Sequence, residues 1–183
     1  MPPLRLAPEW RIREWLNAPA PLSLETLRGR VVYAVAFQML CPGCVSHALP
    51  QALRVRAVFD EAAVAVIGLH TVFEHHEAQG SRAALDAFLK EYRIGIPVGV
   101  DAPAAEGGLP QTMRLYAMQG TPTALLVDRA GRLRMQRFGH VDDLSLGASI
   151  QAPLGETPLA DDHVEAPAED IPVTCRPRGC EST

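Results

Sequence analysis

From the amino end, the first sustained apolar run is Val31 to Phe37 (Val-Val-Tyr-Ala-Val-Ala-Phe), rich in β-branched and aromatic residues and without polar alternation. That pattern predicts a strand buried on both faces of a sheet. Beyond it, apolar residues recur at Leu49, Ala52, Leu53, Ala57 and Val58, close to helical spacing, with Arg54 and Arg56 left for solvent. This predicts a helix over 44–60. Pro50 should kink it, because proline lacks an amide donor and its ring presses on the preceding turn. Ala63 to His70 is a second buried-strand run, and two such runs joined by a helix make a βαβ unit with parallel strands.

Farther on, Leu85, Phe88, Leu89 and Tyr92 fall on one helical face and predict an amphipathic helix over 81–93. A short strand follows over 96–100, and a short helix over 111–118. Gly120-Thr121-Pro122-Thr123 leads into an apolar run to Val127. Asp128 to Gly131 is then a turn signal, with Leu133 to Phe138 alternating beyond it, which predicts a hairpin. From about Ile150 the chain becomes proline-rich and acidic, with too few large apolar residues to offset the entropy of ordering them. The pattern therefore divides into a domain over 1–150 and a tail over 151–183, with no internal repeat.

The composition of the 183 residues, 48% hydrophobic and 21% charged with a formal net charge of -4, is that of an ordinary globular protein. No basic run is available to neutralise a row of phosphates, so nucleic acid is not an expected partner. No apolar stretch approaches the roughly 20 residues of a membrane span. Met1 to Trp10 lacks the apolar core of a secretory signal, which makes the cytoplasm the default expectation, or the periplasm if a leader has been removed.

The four cysteines fall in two pairs, Cys41/Cys44 and Cys175/Cys180. Cys41-Pro42-Gly43-Cys44 stands where a strand gives way to a helix. A sulfur at that point meets unpaired backbone N–H groups and the positive end of the helix dipole, which favour the thiolate. The thiolate is the nucleophile of disulfide exchange, and the two-residue spacing leaves Cys44 close enough to resolve a mixed disulfide made by Cys41. A half zinc site is the alternative, completed by Cys175 and Cys180 or by His70, His75 and His76. A lone CxxC inside a βαβ pattern favours the redox reading. Pro122 precedes a strand and follows a glycine and a threonine, a common setting for a cis peptide bond.

These features extend to a family. Leu24 to Val32, Phe37, Cys41 to Cys44, Pro50, Gly68 to Thr71, Gly120 to Thr123 and Leu126 to Arg132 resemble the TlpA/ResA-type branch of the thioredoxin superfamily over about Ala7 to Gly147. The resemblance implies an α/β thioredoxin-like fold, a central mixed sheet flanked by helices with N-terminal and central βα additions. It also implies a nucleophilic Cys41, a resolving Cys44 and a cis Pro122. In that fold the Thr121 backbone faces an incoming peptide, and its hydroxyl is placed to stabilise the Cys41 thiolate.

Three departures from the pattern stand out. Leu40 replaces the usual Trp, Gln38-Met39 replaces small or polar residues, and Val35 occupies the place of thioredoxin's buried acid. The proton acceptor for Cys44 must then come from elsewhere. Glu74 or His70, which follow the neighbouring parallel strand with Thr71, are the candidates, because parallel strands end on one edge of the sheet.

The reading is thus a thiol-disulfide oxidoreductase that needs no cofactor and no metal. Its partners would be protein thiols or disulfides, or an electron-donating oxidoreductase. A peroxiredoxin-type peroxidase is the rival enzyme, although the residues before Cys41 lack the Pro and Thr of that arrangement; a non-catalytic binding module is the other rival. Cys175 and Cys180, on a linker of roughly 25 residues spanning about 25–30 Å if flexible, form a candidate second redox pair.

Overall fold

The computed structural model describes residues 4–104 and 108–156. The two buried-strand runs lie at the centre of a sheet. They are β2 (Val31–Phe37) and β3 (Val64–His70), paired in parallel from Val31 opposite Val64 to Phe37 opposite His70. Every residue of both is buried, which is why their sequences show no alternation. Outside β3 runs β4 (Val98–Asp101), also parallel, and the edge beyond it is closed by antiparallel β1 (Ile12–Leu16). On the other side of β2 lie antiparallel β5 (Thr123–Val127) and β6 (Leu133–Phe138), joined by the expected hairpin. The order is β1-β4-β3-β2-β5-β6, one mixed six-stranded sheet flanked by helices.

Each face carries its own core. Side chains of β2 at Val31, Tyr33, Val35 and Phe37 pack with α1 (Leu49–Val58), α3 (Arg82–Glu91) and α5 (Asp143–Gly155). The alternate residues Val32, Ala34 and Ala36 pack on the opposite face with Trp10, Leu24, Leu27 and the α4 segment (Gln111–Leu115). Helix α3 begins at Ser81, whose hydroxyl accepts from the Ala84 N–H, and buries Leu85 and Leu89 as the spacing predicts. A short α2 (His76–Gln79) precedes it.

Several boundaries differ from the sequence reading. The expected kink at Pro50 is instead a wide π turn over Cys44–Ala48, in which the Leu49 N–H reaches back to the Cys44 carbonyl. The extra residue in that turn makes room for the proline ring, and Pro50 sits in the first turn of α1, where its missing N–H leaves no bond unmade. The strand expected over 96–100 is Val98–Asp101, since Pro97 cannot donate to a ladder and offers only its carbonyl, to the Gly68 N–H. The helix expected over 111–118 stops at Leu115, and Ala117 turns left-handed with φ 47°. Helix α5 carries ordered chain to Gly155, past the expected boundary at 150; its start is fixed by Asp142, whose carboxylate accepts from the Leu144 and Ser145 N–H groups. Residues 157–183, with Cys175 and Cys180, lie outside the described residues. No helix among the described residues is long and apolar enough to cross a membrane.

Candidate active site

Strand β2 ends at Phe37, and a tight turn, with the Cys41 N–H bonded to the Gln38 carbonyl at 3.2 Å, delivers the chain to the opening of the helical segment. Cys41 stands half-buried at that opening. Cys44, one turn on, is fully buried with 0% exposure. The Cys44 N–H points at the Cys41 sulfur at 3.3 Å, the helix-end donor that the motif's position calls for. Both thiols are unbridged. Burial, reinforced by the neighbouring Cys41, pushes the Cys44 thiol up to about 12, while the Gln38 backbone and the Thr121 side chain favour its thiolate. Cys44 is thus a protonated thiol at neutral pH.

The second element arrives from the antiparallel partner. Thr123 pairs with Ala36, so the residues just before β5 lie against the turn that carries Cys41. The Thr121–Pro122 peptide bond is cis. The Cys41 Sγ–H donates to the Thr121 carbonyl at 3.5 Å, so it is the Thr121 backbone, rather than its hydroxyl, that this thiol meets. The Pro122 ring lies across Gly43, whose missing Cβ would stand 3.5 Å from the proline Cδ.

Two depressions flank this Cys-Pro junction. A groove of about 360 Å³ has Cys41, Pro42 and Thr121 on its floor, and Leu40, Phe73 and Phe138 among its walls. Leu40 and Phe138 are each more than half exposed, giving the sulfur an apolar rim. On the other side of Pro122, a smaller apolar pocket of about 170 Å³ is bounded by Tyr33, Val35, Gly43 and Ala124, with His47 and His140 in edge-to-face contact at its border. Where thioredoxin keeps a buried acid, this chain has Val35 with 1% exposure.

Glu74 lies exposed on the wall of the Cys41 groove. His70 does not belong to that site. It is buried with 2% exposure, its ring centroid 5.3 Å from that of Phe37, and it borders a separate cavity beside Arg13 and Asp101. Its Nε2 has no hydrogen-bond partner among the described residues. Burial, together with the Arg13 charge, lowers its pKa to about 4, so it is neutral at physiological pH. The Thr71 hydroxyl donates to the Asp101 carboxylate at 3.0 Å, and that carboxylate also accepts from the Thr112 and Met113 N–H groups. Thr71 therefore serves the junction of β4 and α4. Among the described residues no three His, Cys, Asp or Glu side chains stand together as a metal site.

Two site residues escaped the sequence reading. Gln38, noted there only as a departure from a family pattern, and Gln79, not noted at all, are buried side by side behind Cys41. Gln79 Nε2 donates to Gln38 Oε1 at 3.0 Å. Glutamine recurs too freely on protein surfaces for its sequence position to signal this, and the pair is 41 residues apart.

No protein-family model matches the chain, and no curated protein sequence does. Solved structures do. A thioredoxin-like superfamily protein is 56% identical, with a TM-score of 0.81 over 83% of this chain and 97% of the other. A thiol-disulfide isomerase from Corynebacterium glutamicum is 47% identical, with a TM-score of 0.79 over 85% and 97% of the two chains. StoA from Bacillus subtilis shares the fold at 17% identity, with a TM-score of 0.57 over 81% and 97%.

Proposed function

The chain belongs to the thioredoxin-like superfamily, and from that premise we propose that it is a thiol-disulfide oxidoreductase in which Cys41 attacks and Cys44 resolves. The observation that carries this reading is the contrast between the two sulfurs. Cys41 is open to a groove with a backbone N–H aimed at it, whereas Cys44 is sealed beneath it with its thiol pushed up to about 12. Only the first can meet a bulky disulfide, and only a sulfur joined to Cys41 comes within reach of the second.

In this mechanism the Cys41 thiolate attacks a substrate disulfide and expels one substrate sulfur as a thiolate. Cys44 then displaces the other and leaves a Cys41–Cys44 disulfide. Pro122 keeps a backbone donor away from the sulfurs, and Thr121 presents its backbone to an incoming peptide. Glu74, exposed on the groove wall, is the side chain proposed to accept the Cys44 proton. The apolar rim of Leu40 and Phe138 suits protein substrates whose cysteines lie among hydrophobic residues.

The test is trapping. C44S should react with a disulfide-bonded protein such as insulin and stop at a mixed disulfide through Cys41, seen by mass spectrometry and reversed by a reductant. A C44S protein that forms no such adduct, or forms it through another residue, contradicts the assignment.

A further inference from the structure

Phe73, Glu74 and His75 form one wall of the Cys41 groove, and they belong to neither a strand nor a helix. Strand β3 ends at His70, α2 starts at His76, and His75 between them turns left-handed with φ 52°. Backbone N–H and C=O groups outside regular structure must find partners elsewhere. Among the described residues, the backbone of 72–74 makes two hydrogen bonds, both to buried glutamine side chains. The Phe73 N–H donates to Gln38 Oε1 at 3.2 Å, and the Glu74 carbonyl accepts from Gln79 Nε2 at 2.8 Å.

Gln79 also grips the turn that delivers the nucleophile. Its Oε1 accepts from the Leu40 N–H at 3.2 Å, and its Nε2 donates to Gln38 Oε1 at 3.0 Å. A backbone donor at one end of the amide and a backbone acceptor at the other fix which end is oxygen and which is nitrogen. Gln79 is 1% exposed, so no open solvent stands ready to replace it. One side chain therefore joins the Phe73–His75 wall to the residue before Cys41. The hydrogen bonds at the Cys41 sulfur come from the Cys44 N–H and the Thr121 carbonyl, not from Gln79.

We propose that Gln79 is a positioning residue for substrate selection: it locks the Phe73–His75 wall against the Cys41 turn and so sets the width of the groove that the polypeptide beside a target disulfide must enter. The inference rests on the proposed exchange at Cys41 and adds what governs admission to it. A polypeptide lying between Leu40, Phe73 and Phe138 meets the wall. A disulfide small enough to reach Cys41 without touching Phe73 does not, and the bonds made and broken at sulfur are the same for both.

Steady-state reduction of insulin by dithiothreitol is compared with the second-order reaction of the reduced protein with hydroxyethyl disulfide. Both use the full chain carrying C175S and C180S, so that only the site thiols report. Q79L, which keeps the side-chain size and removes both hydrogen-bonding ends, should raise the KM for insulin about tenfold and leave kcat within about twofold. Its rate with hydroxyethyl disulfide should also stay within about twofold, at an unchanged pH midpoint. F73A, which strips the wall and leaves the amides, should raise the insulin KM as well, and Q79L with F73A should be no worse than the weaker single variant. An unchanged insulin KM in Q79L, a loss shared equally by the two substrates, or losses that multiply in the double variant overturns the proposal. Should Q79L fail to fold, a native insulin KM in F73A overturns it equally. So does a native chain that reduces hydroxyethyl disulfide but not insulin. A native chain that reduces neither refutes the exchange reading itself, a different failure from native insulin reduction that Gln79 does not affect.

Discussion

Strands β2 and β3 are parallel, fully buried and in register to their last residues, Phe37 opposite His70. Both end on the same edge of the sheet, where topology predicts chemistry. What stands at those two ends differs. Beyond β2 the chain turns out to an open groove and presents a half-exposed thiol at a helix start. At the β3 end the first residues stay inside, with the His70 ring tilted against Phe37 and its imidazole held neutral and Thr71 bonded to Asp101, before the chain emerges at the groove wall with Phe73 and Glu74. A reactive residue type at the right edge is therefore not enough. The group must also meet solvent or substrate and have its charged form supported, and only the β2 end provides both.

This contrast can be broken by substitution. The largest effect belongs to C41S, which should lower the rate of insulin disulfide reduction by at least about a thousandfold, as loss of a covalent nucleophile does, while leaving thermal unfolding nearly unchanged. The reverse is expected across the strand pair. Burial lowers the His70 pKa from 6.5 to about 4, so as pH falls the unfolded chain takes up a proton before the folded one does. The stability associated with the neutral imidazole is complete above pH 6.5 and is lost progressively toward pH 4, a difference of about 3 kcal/mol. H70L should flatten the pH dependence of urea unfolding over that window and leave disulfide reduction at neutral pH within about twofold.

Smaller still is T71V, which removes one hydrogen bond from a buried carboxylate and should cost about 1–3 kcal/mol of stability in urea titrations, again without a comparable loss of activity. The smallest is E74Q, because Glu74 lies in open solvent on the groove wall. It should slow exchange about twofold, an effect on the scale of one exposed charge. Steady-state rates from pH 5 to 9 measure it.

Most of the fold was legible because buried strands and amphipathic helices write their periods into the sequence. The strands at Val31–Phe37 and Val64–His70 and the helix capped by Ser81 are examples. Two elements carried no such signature. Strand β1, Ile-Arg-Glu-Trp-Leu, is an edge strand whose charged residues face solvent, and it is specified by pairing with β4 rather than by its own pattern. Helix α5 contains Gly147, Ser149 and Pro153, weak helix formers, and is secured by its Asp142 cap and by Leu146 and Ile150 seated in the core.

The site divides the same way. Cys41, Cys44 and the Thr121–Pro122 pair were legible because their chemistry and spacing are distinctive. Gln38 and Gln79 were not, because a buried amide is recognised by what it bonds, and those partners come from loops far apart in sequence. The His70 reading failed for a related reason: sequence placed it at the correct strand end but could not show that Phe37 and the surrounding core enclose it.

The central claim is that one sulfur is open to partners and the other is not, and site-resolved alkylation tests it most directly. The reduced full chain is treated with iodoacetamide at pH 7.5, and the modified peptides are quantified over time by mass spectrometry. Cys41 should be labelled at least about tenfold faster than Cys44, with Cys44 reacting appreciably only after unfolding or at strongly alkaline pH, as a buried thiol pushed up to about 12 requires. Equal rates at the two positions, or faster labelling of Cys44, would contradict the account.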